Sequence, residues 1–229
     1  MRVVFISDTH NYDITDAILD GDMIVHSGDA TGMGTLTEVS KFLTWYGELP
    51  HTYKVFVAGN HDWLFERDHS LGKSMCEYNG ITYLSDSEAT LGGLRIYGTP
   101  WQKYFCNWAF NLDEEDLFDK FQHIPYGLDI LVSHTPPMGI LDESTYDNKL
   151  HNIGSRDLMG MVSKTKPKIH CFGHAHGGYG QLKKNDTLLK LIFSHYTNIN
   201  PVQFIDIQFR TPILNQRGDD YNDFIFNNL

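Results

Sequence analysis

Apolar positions in this chain fall into short β-branched or aromatic runs, and five of these runs end in a polar motif. Val3-Val4-Phe5-Ile6 leads to Asp8-Thr9-His10, Met23-Ile24-Val25 to Gly28-Asp29, and Val55-Phe56-Val57 to Gly59-Asn60-His61-Asp62. Ile130-Leu131-Val132 leads to Ser133-His134, and Ile169-His170-Cys171-Phe172 to Gly173-His174-Ala175-His176. Unbroken apolar runs of this length predict strands buried on both faces, as in an α/β sheet. Ligand crevices in such sheets form at the carboxyl ends of strands, so residues distant in sequence are expected to converge there.

Between the runs, the patterning predicts helices. Thr35 to Leu49 places Leu36, Val39, Phe42, Leu43 and Tyr46 at three- and four-residue spacings, and Pro50 follows; this is the stripe of a helix packed on a sheet. Asp13 to Asp20 reads as a short helix between the first strand and a second at Asp22 to His26, and Lys54 to Ala58 is a third strand. From Ile81 the texture changes to short β runs, Ile81 to Leu84 and Leu94 to Tyr97, with hairpin character around Gly92-Gly93. A second sheet is expected to begin there. Trp101 to Asn111 is aromatic without a period and reads as a loop. Helices are expected at Asp113 to Gln122 and Asp157 to Lys164, and strands at Leu128 to Ser133, Lys168 to Phe172, Leu188 to Phe193 and Val202 to Phe209. Lys184-Asn185-Asp186 reads as a turn. The 229 residues suit a single domain, with 211–229 a peripheral polar tail.

Composition narrows the class. The chain is 41% hydrophobic and 21% charged, ordinary for a globular protein, and no stretch is apolar long enough to span a bilayer. Its start enters a strand directly, without the features of a secretory signal, so a cytoplasmic protein is expected. Cys76, Cys106 and Cys171 are odd in number and lack C-x-x-C spacing, which predicts thiols, not a disulfide framework or zinc ribbon. A net charge of −11 disfavours long nucleic acid, whose binding relies on Lys and Arg displacing counterions. A small phosphoester remains acceptable where bound cations reverse the local sign.

The polar motifs supply carboxylate oxygen, imidazole and amide oxygen, the mixed donor set that suits Mn, Fe or Zn better than Ca or Mg alone. Singly they say little. Asp8 and His10 are two apart on a strand exit, Gly28-Asp29 also reads as a turn, and Asn60 as an Asx turn. His134 before Pro136-Pro137 is equally readable as structural. Gly173-His174-Ala175-His176-Gly177-Gly178 is the sharpest, with two imidazoles one small residue apart between glycines. Their ordered co-occurrence is what points to a two-metal hydrolase.

The order D-x-H, G-D, G-N-H-D, S-H, G-H-x-H resembles that of the calcineurin-like metallophosphoesterases, over residues 1 to about 209. The resemblance implies an α/β fold of two mixed β-sheets packed as a sandwich and flanked by helices. It implies that Asp8, His10 and His176 hold one divalent ion (Mn, Fe, Zn or Ni) and Asn60, His134 and His174 another, with Asp29 bridging. His61 would be the catalytic histidine and Asp62 its acidic partner. Gly98-Thr99-Pro100-Trp101-Gln102, Trp108-Ala109-Phe110-Asn111, Ile124-Pro125, Asp129 through Pro137 and Phe172 through Gly180 resemble, within that superfamily, the metallophosphoesterase-domain (class III-like cyclic nucleotide phosphodiesterase) branch. Thr135 stands where that branch usually has Gly, and Gly177 where an acidic residue is frequent.

The expected chemistry is hydrolysis of a small phosphodiester, such as a cyclic nucleotide, by attack of a hydroxide bridging the metals, with His61 as general acid. Asn60, His61, His151 and Tyr179 are the expected substrate contacts, Tyr179 for a nucleoside. A phosphomonoesterase or protein Ser/Thr phosphatase is the enzyme alternative, ranked lower for want of an arginine cluster, Arg67 and Arg156 being the nearest cations. A binding module on a dead phosphoesterase fold is disfavoured by the complete ligand set. His26 is read as core or as support for the ligands, and His51, His69, His123, His170 and His195 as structural. Trp101, Tyr104, Phe105, Trp108 and Phe110 are read as core.

Overall fold

Strand alternation decides the architecture. The computed structural model describes residues 1–146, 148–184, 187–191, 203–209 and 224–227. In β1 (Arg2–Ile6) successive side chains point to opposite faces. Val3 and Phe5 enter one apolar cluster, and Val4 and Ile6 a different one. Both faces are therefore covered, which is why the run carries no polar residue.

The first sheet runs β16 (Phe224–Asn227), β15 (Gln203–Phe209), β1, β2 (Met23–His26), β3 (Tyr53–Phe56) and β4 (Thr82–Tyr83). β1 to β4 are parallel and the β15 and β16 pairings antiparallel. The second runs β13 (Gly180–Lys184), β14 (Thr187–Leu191), β12 (Ile169–Phe172), β9 (Ile130–Ser133), β6 (Leu94–Thr99) and β5 (Ser87–Leu91), with parallel pairings at its centre and antiparallel ones at both edges. Val3, Phe5, Val25 and Val55 of one sheet meet Leu94, Ile96, Val132 and Cys171 of the other in a shared core. The outer face of the first sheet is covered by α1 (Leu36–Glu48), α2 (Trp63–Arg67) and α3 (His69–Tyr78). The outer face of the second is covered by α4 (Glu114–Phe121) and α5 (Arg156–Thr165). This is the expected two-sheet sandwich flanked by helices.

Helix α1 lies where the stripe predicts, burying Val39, Phe42, Leu43 and Tyr46, and opens with a capping box between Thr35 and Glu38. Several segments depart from expectation. Asp13 to Asp20 contains only a single 3-10 turn at Thr15–Ala17, because the Asp13 carboxylate takes both the amide and the hydroxyl of Thr15, a local bond that competes with a helix. Helices α2 and α3 have no counterpart in the sequence pattern, since they bury only Phe65, Gly72 and Cys76 and so carry no continuous stripe. Two small ribbons also lack a signal: β7 (Gln102–Lys103) with β8 (Asn111–Leu112) inside the expected loop, and the hairpin β10 (Glu143–Tyr146) and β11 (Lys149–Asn152). β16 lies within the expected polar tail, at the edge of the first sheet. Expectations that fall on 185–186, 192–202, 210–223 and 228–229, His195 among them, lie outside the described residues.

Tyr46 ties the core to the sheet. Its ring is wholly buried, and its hydroxyl lies 3.1 Å from the Ile24 carbonyl oxygen and 2.8 Å from that of Val55, to which it donates. Tyr46→Phe is therefore expected to lower stability by about 1 kcal/mol, the net worth of an intramolecular hydrogen bond. Urea unfolding checks this, and a midpoint equal to wild type with unchanged slope would show that the hydroxyl contributes nothing.

Candidate metal centre

The loops leaving β1, β2, β3, β9 and β12 are held together by backbone bonds before any side chain acts. Asp8 N–H donates to Gly28 O (2.8 Å), His10 N–H to Asp29 O (3.0 Å) and Gly173 N–H to His134 O (3.0 Å). Asp8, His10, Asn11, Asp29 and His174 all take positive φ, between 45° and 69°. For L-residues each such conformation costs about 1–2 kcal/mol and persists only where its surroundings enforce it. The glycines beside them supply clearance. A Cβ at Gly173 would run into Ser7 and the Asp8 carboxylate, and one at Gly59 into Asp29 and His134.

Side chains from these loops form three overlapping clusters, Asp8 with His10 and His176, Asp29 with His134 and His174, and His10 with Asp29 and His61. Within each, the ligand-capable atoms lie within 4.8 Å of one another. Asp29 belongs to two of them through different oxygens. Its Oδ1 is 3.4 Å from His134 Nε2, while Oδ2 is 3.9 Å from both His10 Nε2 and His61 Nε2. Asn60 Oδ1 lies 2.9 Å from His134 Nε2, which puts its amide beside the second cluster. The structure thus brings all of the expected ligands together: Asp8, His10, Asp29, Asn60, His134, His174 and His176.

Charge in the cluster is set by two carboxylates with almost no exposure, Asp8 at 0% and Asp29 at 1%. Burial opposes ionisation of Asp29, but the charge and hydrogen bond of His134, with His61 and His10 behind them, hold its carboxyl well below the usual range. Burial likewise opposes ionisation of Asp8 and is the largest single influence on it, but the hydrogen bond to His176 and the charges of His134 and His176 together hold its carboxyl below the usual range. Burial would also strip the proton from His134, yet Asp29 and Asp8 push its pKa up to about 9. His174, buried first and repelled by His134 second, falls to about 3 and is neutral. A site that holds a proton on one imidazole through two carboxylates offers a cation the same field, and a ligating cation displaces that proton. Oxygen anions mixed with imidazole nitrogen fit a pair of divalent first-row ions.

His61 is fixed from behind. Its Nδ1 lies 2.6 Å from Gly32 O, which can only accept, so the proton is on Nδ1 and Nε2 faces Asp29. Asp62, expected to be its acidic partner, is instead turned away. Its carboxylate accepts from Gly59 N–H, Ala30 N–H, Thr31 N–H and the Thr31 hydroxyl, pinning the exits of β2 and β3 to each other. Four donors claim it, three of them from Ala30 and Thr31, so the backbone carbonyl of Gly32 does the orienting that was expected of Asp62.

The centre opens into a cleft of about 340 Å³ whose lining includes Asn60, His61, Lys103, Trp108, Tyr146 and Asn152. His151 and Tyr179 are not among its described lining residues. His151 lies stacked behind Tyr146, with ring centroids 3.6 Å apart and planes at 10°, so Tyr146 occupies the place expected of it. The aromatic cluster divides. Phe110 and Trp101 pack in the core, whereas Tyr104, Phe105 and Trp108 face the cleft. Among the described lining residues Lys103, and neither Arg67 nor Arg156, is the lysine or arginine present, and Arg67 lies over the Trp63 ring instead. His26 accepts from Gly28 N–H at Nδ1 and lies 2.9 Å from the Thr9 hydroxyl at Nε2, supporting both adjacent loops. No disulfide joins the cysteines, and no helix among the described residues is long and apolar enough to cross a membrane.

Comparison with known proteins agrees with this geometry. The chain is 36% identical over 232 residues to human metallophosphoesterase domain-containing protein 1, covering 90% of this chain and 71% of that one. It is 37% identical over 205 residues to a UPF0046 protein of Caenorhabditis elegans, covering 82% and 73%. A solved structure from Thermus thermophilus aligns with a TM-score of 0.57 at 14% identity, over 83% of this chain and 88% of that one, a likeness of fold alone. Residues 1–178 match the calcineurin-like phosphoesterase family. With that pattern laid over a sandwich whose strand exits gather Asp8, Asp29 and their imidazoles, the chain belongs to the calcineurin-like phosphoesterases.

Proposed function

We propose that this chain hydrolyses small phosphodiesters, cyclic nucleotides among them, at a centre of two divalent ions. Asp8, His10 and His176 would hold one ion and Asn60, His134 and His174 the other, with Asp29 shared. The observation that carries this reading is the position of Asp29, whose two oxygens face different imidazole sets. A carboxylate so placed is built to be shared. When bound, two such ions supply an activated water for in-line attack and absorb charge on the phosphoryl oxygens.

The protein's own groups do the rest. Asn60 and His61 line the cleft floor beside the donor clusters. His61, with Nδ1–H committed to Gly32 O, keeps Nε2 toward the reacting group; in its imidazolium form it would carry a second proton on Nε2 and deliver it to the departing alkoxide oxygen, returning to the neutral Nδ1–H tautomer. Trp108 lies 4.0 Å from the His61 ring, between centroids, and limits its rotation. Lys103 is the one lysine or arginine among the described lining residues and also pairs with Glu114 at 3.5 Å. One partly neutralised cation favours a monoanionic diester over a dianionic monoester.

Three outcomes test this reading. Asp29→Ala is expected to empty both metal positions, so elemental analysis of the pure variant should find far less than the wild-type content; two tightly held ions with normal turnover would refute the shared ligand. On matched aryl esters, kcat/KM is expected to be higher for the diester. A monoester advantage of tenfold, about 1.4 kcal/mol in transition-state binding, would reverse the ranking. His61→Ala is expected to retain metal yet lose about 10²–10⁴-fold on a ribose-alkoxide leaving group and far less on p-nitrophenolate, which departs without a proton. Equal losses on both with metal retained would make His61 a phosphate-positioning group, and loss of metal would make it a ligand.

A further inference from the structure

We infer that the cleft contains a subsite for a flat, nitrogen-bearing aromatic ring on the organic side of the ester, with Tyr146 and Trp108 as its contact surfaces and Asn152 as its polar reader. The inference rests on the phosphodiesterase reading and assigns the part of the substrate that does not react.

Both walls of the cleft are anchored to the loops that carry the donor residues. On one side Ala109 N–H donates to Asn60 O at 3.0 Å and Phe110 N–H to Glu66 Oε1 at 2.7 Å, which holds Trp108 in place. On the other, Gly177 N–H donates to Glu143 O at 3.1 Å, joining the β10–β11 hairpin to the His174–His176 loop. A side chain at 177 would bring its Cβ within 2.9 Å of that same carbonyl oxygen. Glycine at this position is what lets the hairpin seat against the centre.

Tyr146 is held as a plate. His151 stacks against it at 3.6 Å, and Phe105 packs on it at 5.1 Å with planes at 60°. Fixed aromatic surfaces bind bases by stacking at little conformational cost. Asn152 supplies direction. Its Nδ2 donates to Asp142 Oδ1 at 3.0 Å, and because a carboxylate only accepts, this settles which way round the amide stands. Asp142 is itself buried and takes the amides of Gly139 and Gly154. Asn152 Oδ1 is thereby offered as an acceptor at the cleft, matched to a ring amine or ring N–H. A cleft of about 340 Å³ is at the lower end for small-molecule sites and admits a nucleoside-sized group.

The test uses the full chain loaded with Mn and a matched pair of diesters, adenosine 2′,3′-cyclic phosphate and methyl riboside 2′,3′-cyclic phosphate, which lacks the base. Wild type is expected to favour the first by about tenfold or more in kcat/KM. Tyr146→Ala should bring that preference to within about threefold and Tyr146→Phe should restore it, with metal content unchanged in both. Asn152→Ala should weaken discrimination between adenosine and purine riboside cyclic phosphates, which differ by the amino group. Calorimetry with adenosine monophosphate against ribose phosphate gives the same comparison without turnover. Wild-type turnover of both diesters at equal rates overturns the subsite and leaves the phosphodiesterase reading standing. So does a preference that survives Tyr146→Ala. Turnover of neither diester by the metal-loaded chain overturns both.

Discussion

Two carboxylates buried where the sheets meet are the constraint on which the rest depends. Asp8 leaves the first sheet and accepts from the backbone N–H of His174, which leaves the second, at 3.1 Å. Asp29 accepts from His61 N–H at 2.8 Å. Each bond joins a buried anion to a loop from a different strand. An uncompensated buried carboxylate is costly enough to force its own protonation, so the imidazoles and backbone donors around these two are a condition of folding as well as of chemistry. Removing one imidazole weakens the compensation of a buried charge, and removing a carboxylate takes away part of the field that keeps the His134 proton in place.

Positive-φ residues concentrate at these strand exits for the same reason. The chain must turn abruptly to aim a side chain back over the end of its own strand, and the carboxylates reward that turn with hydrogen bonds. Two further acids, neither of which points at the centre, keep the turns from relaxing. Asp62 binds the exits of β2 and β3 together through four donors. Glu38 closes the α1 capping box and also accepts from Asn11 Nδ2, next to His10. The stability of α1 is therefore coupled to the loop that presents His10. Strain at the site is carried by groups one layer behind it.

Legibility in the sequence followed how local each signal was. The strands of the sandwich core were readable because burial on both faces leaves an unbroken apolar run, as in Val3 to Ile6. Helix α1 was readable because one face of it meets a sheet. The donor residues were readable because each motif ends a strand and the motifs recur in order. What escaped was decided by partners remote in sequence. Asp62 looked like a partner for its neighbour His61, but the choice lay with the amides of Ala30 and Thr31, some thirty positions away. Helices α2 and α3 bury too little to mark a stripe, and the β10–β11 hairpin is exposed and polar along most of its length. Composition alone could not divide the aromatic cluster, since Phe110 and Trp108 differ only in which side of one short loop they occupy.

That division follows from the way the fold separates tasks. The donor groups sit on loops whose conformation is over-determined by both sheets, and substitution there disturbs the core. The cleft walls come instead from short segments, the 101–111 loop, pinned to the core by Ala109 and Phe110, and the exposed β10–β11 hairpin. They reach the centre through single backbone bonds at Asn60 and Gly177. Changes in these walls would alter what the cleft admits while leaving the buried carboxylates and their imidazoles in place. A glycine at 177 is the point where the two tasks touch, because the same residue ends the two-histidine motif and seats the hairpin. The wall residues are legible only once that contact is seen, since no feature of 143–152 on its own places Tyr146 beside His174.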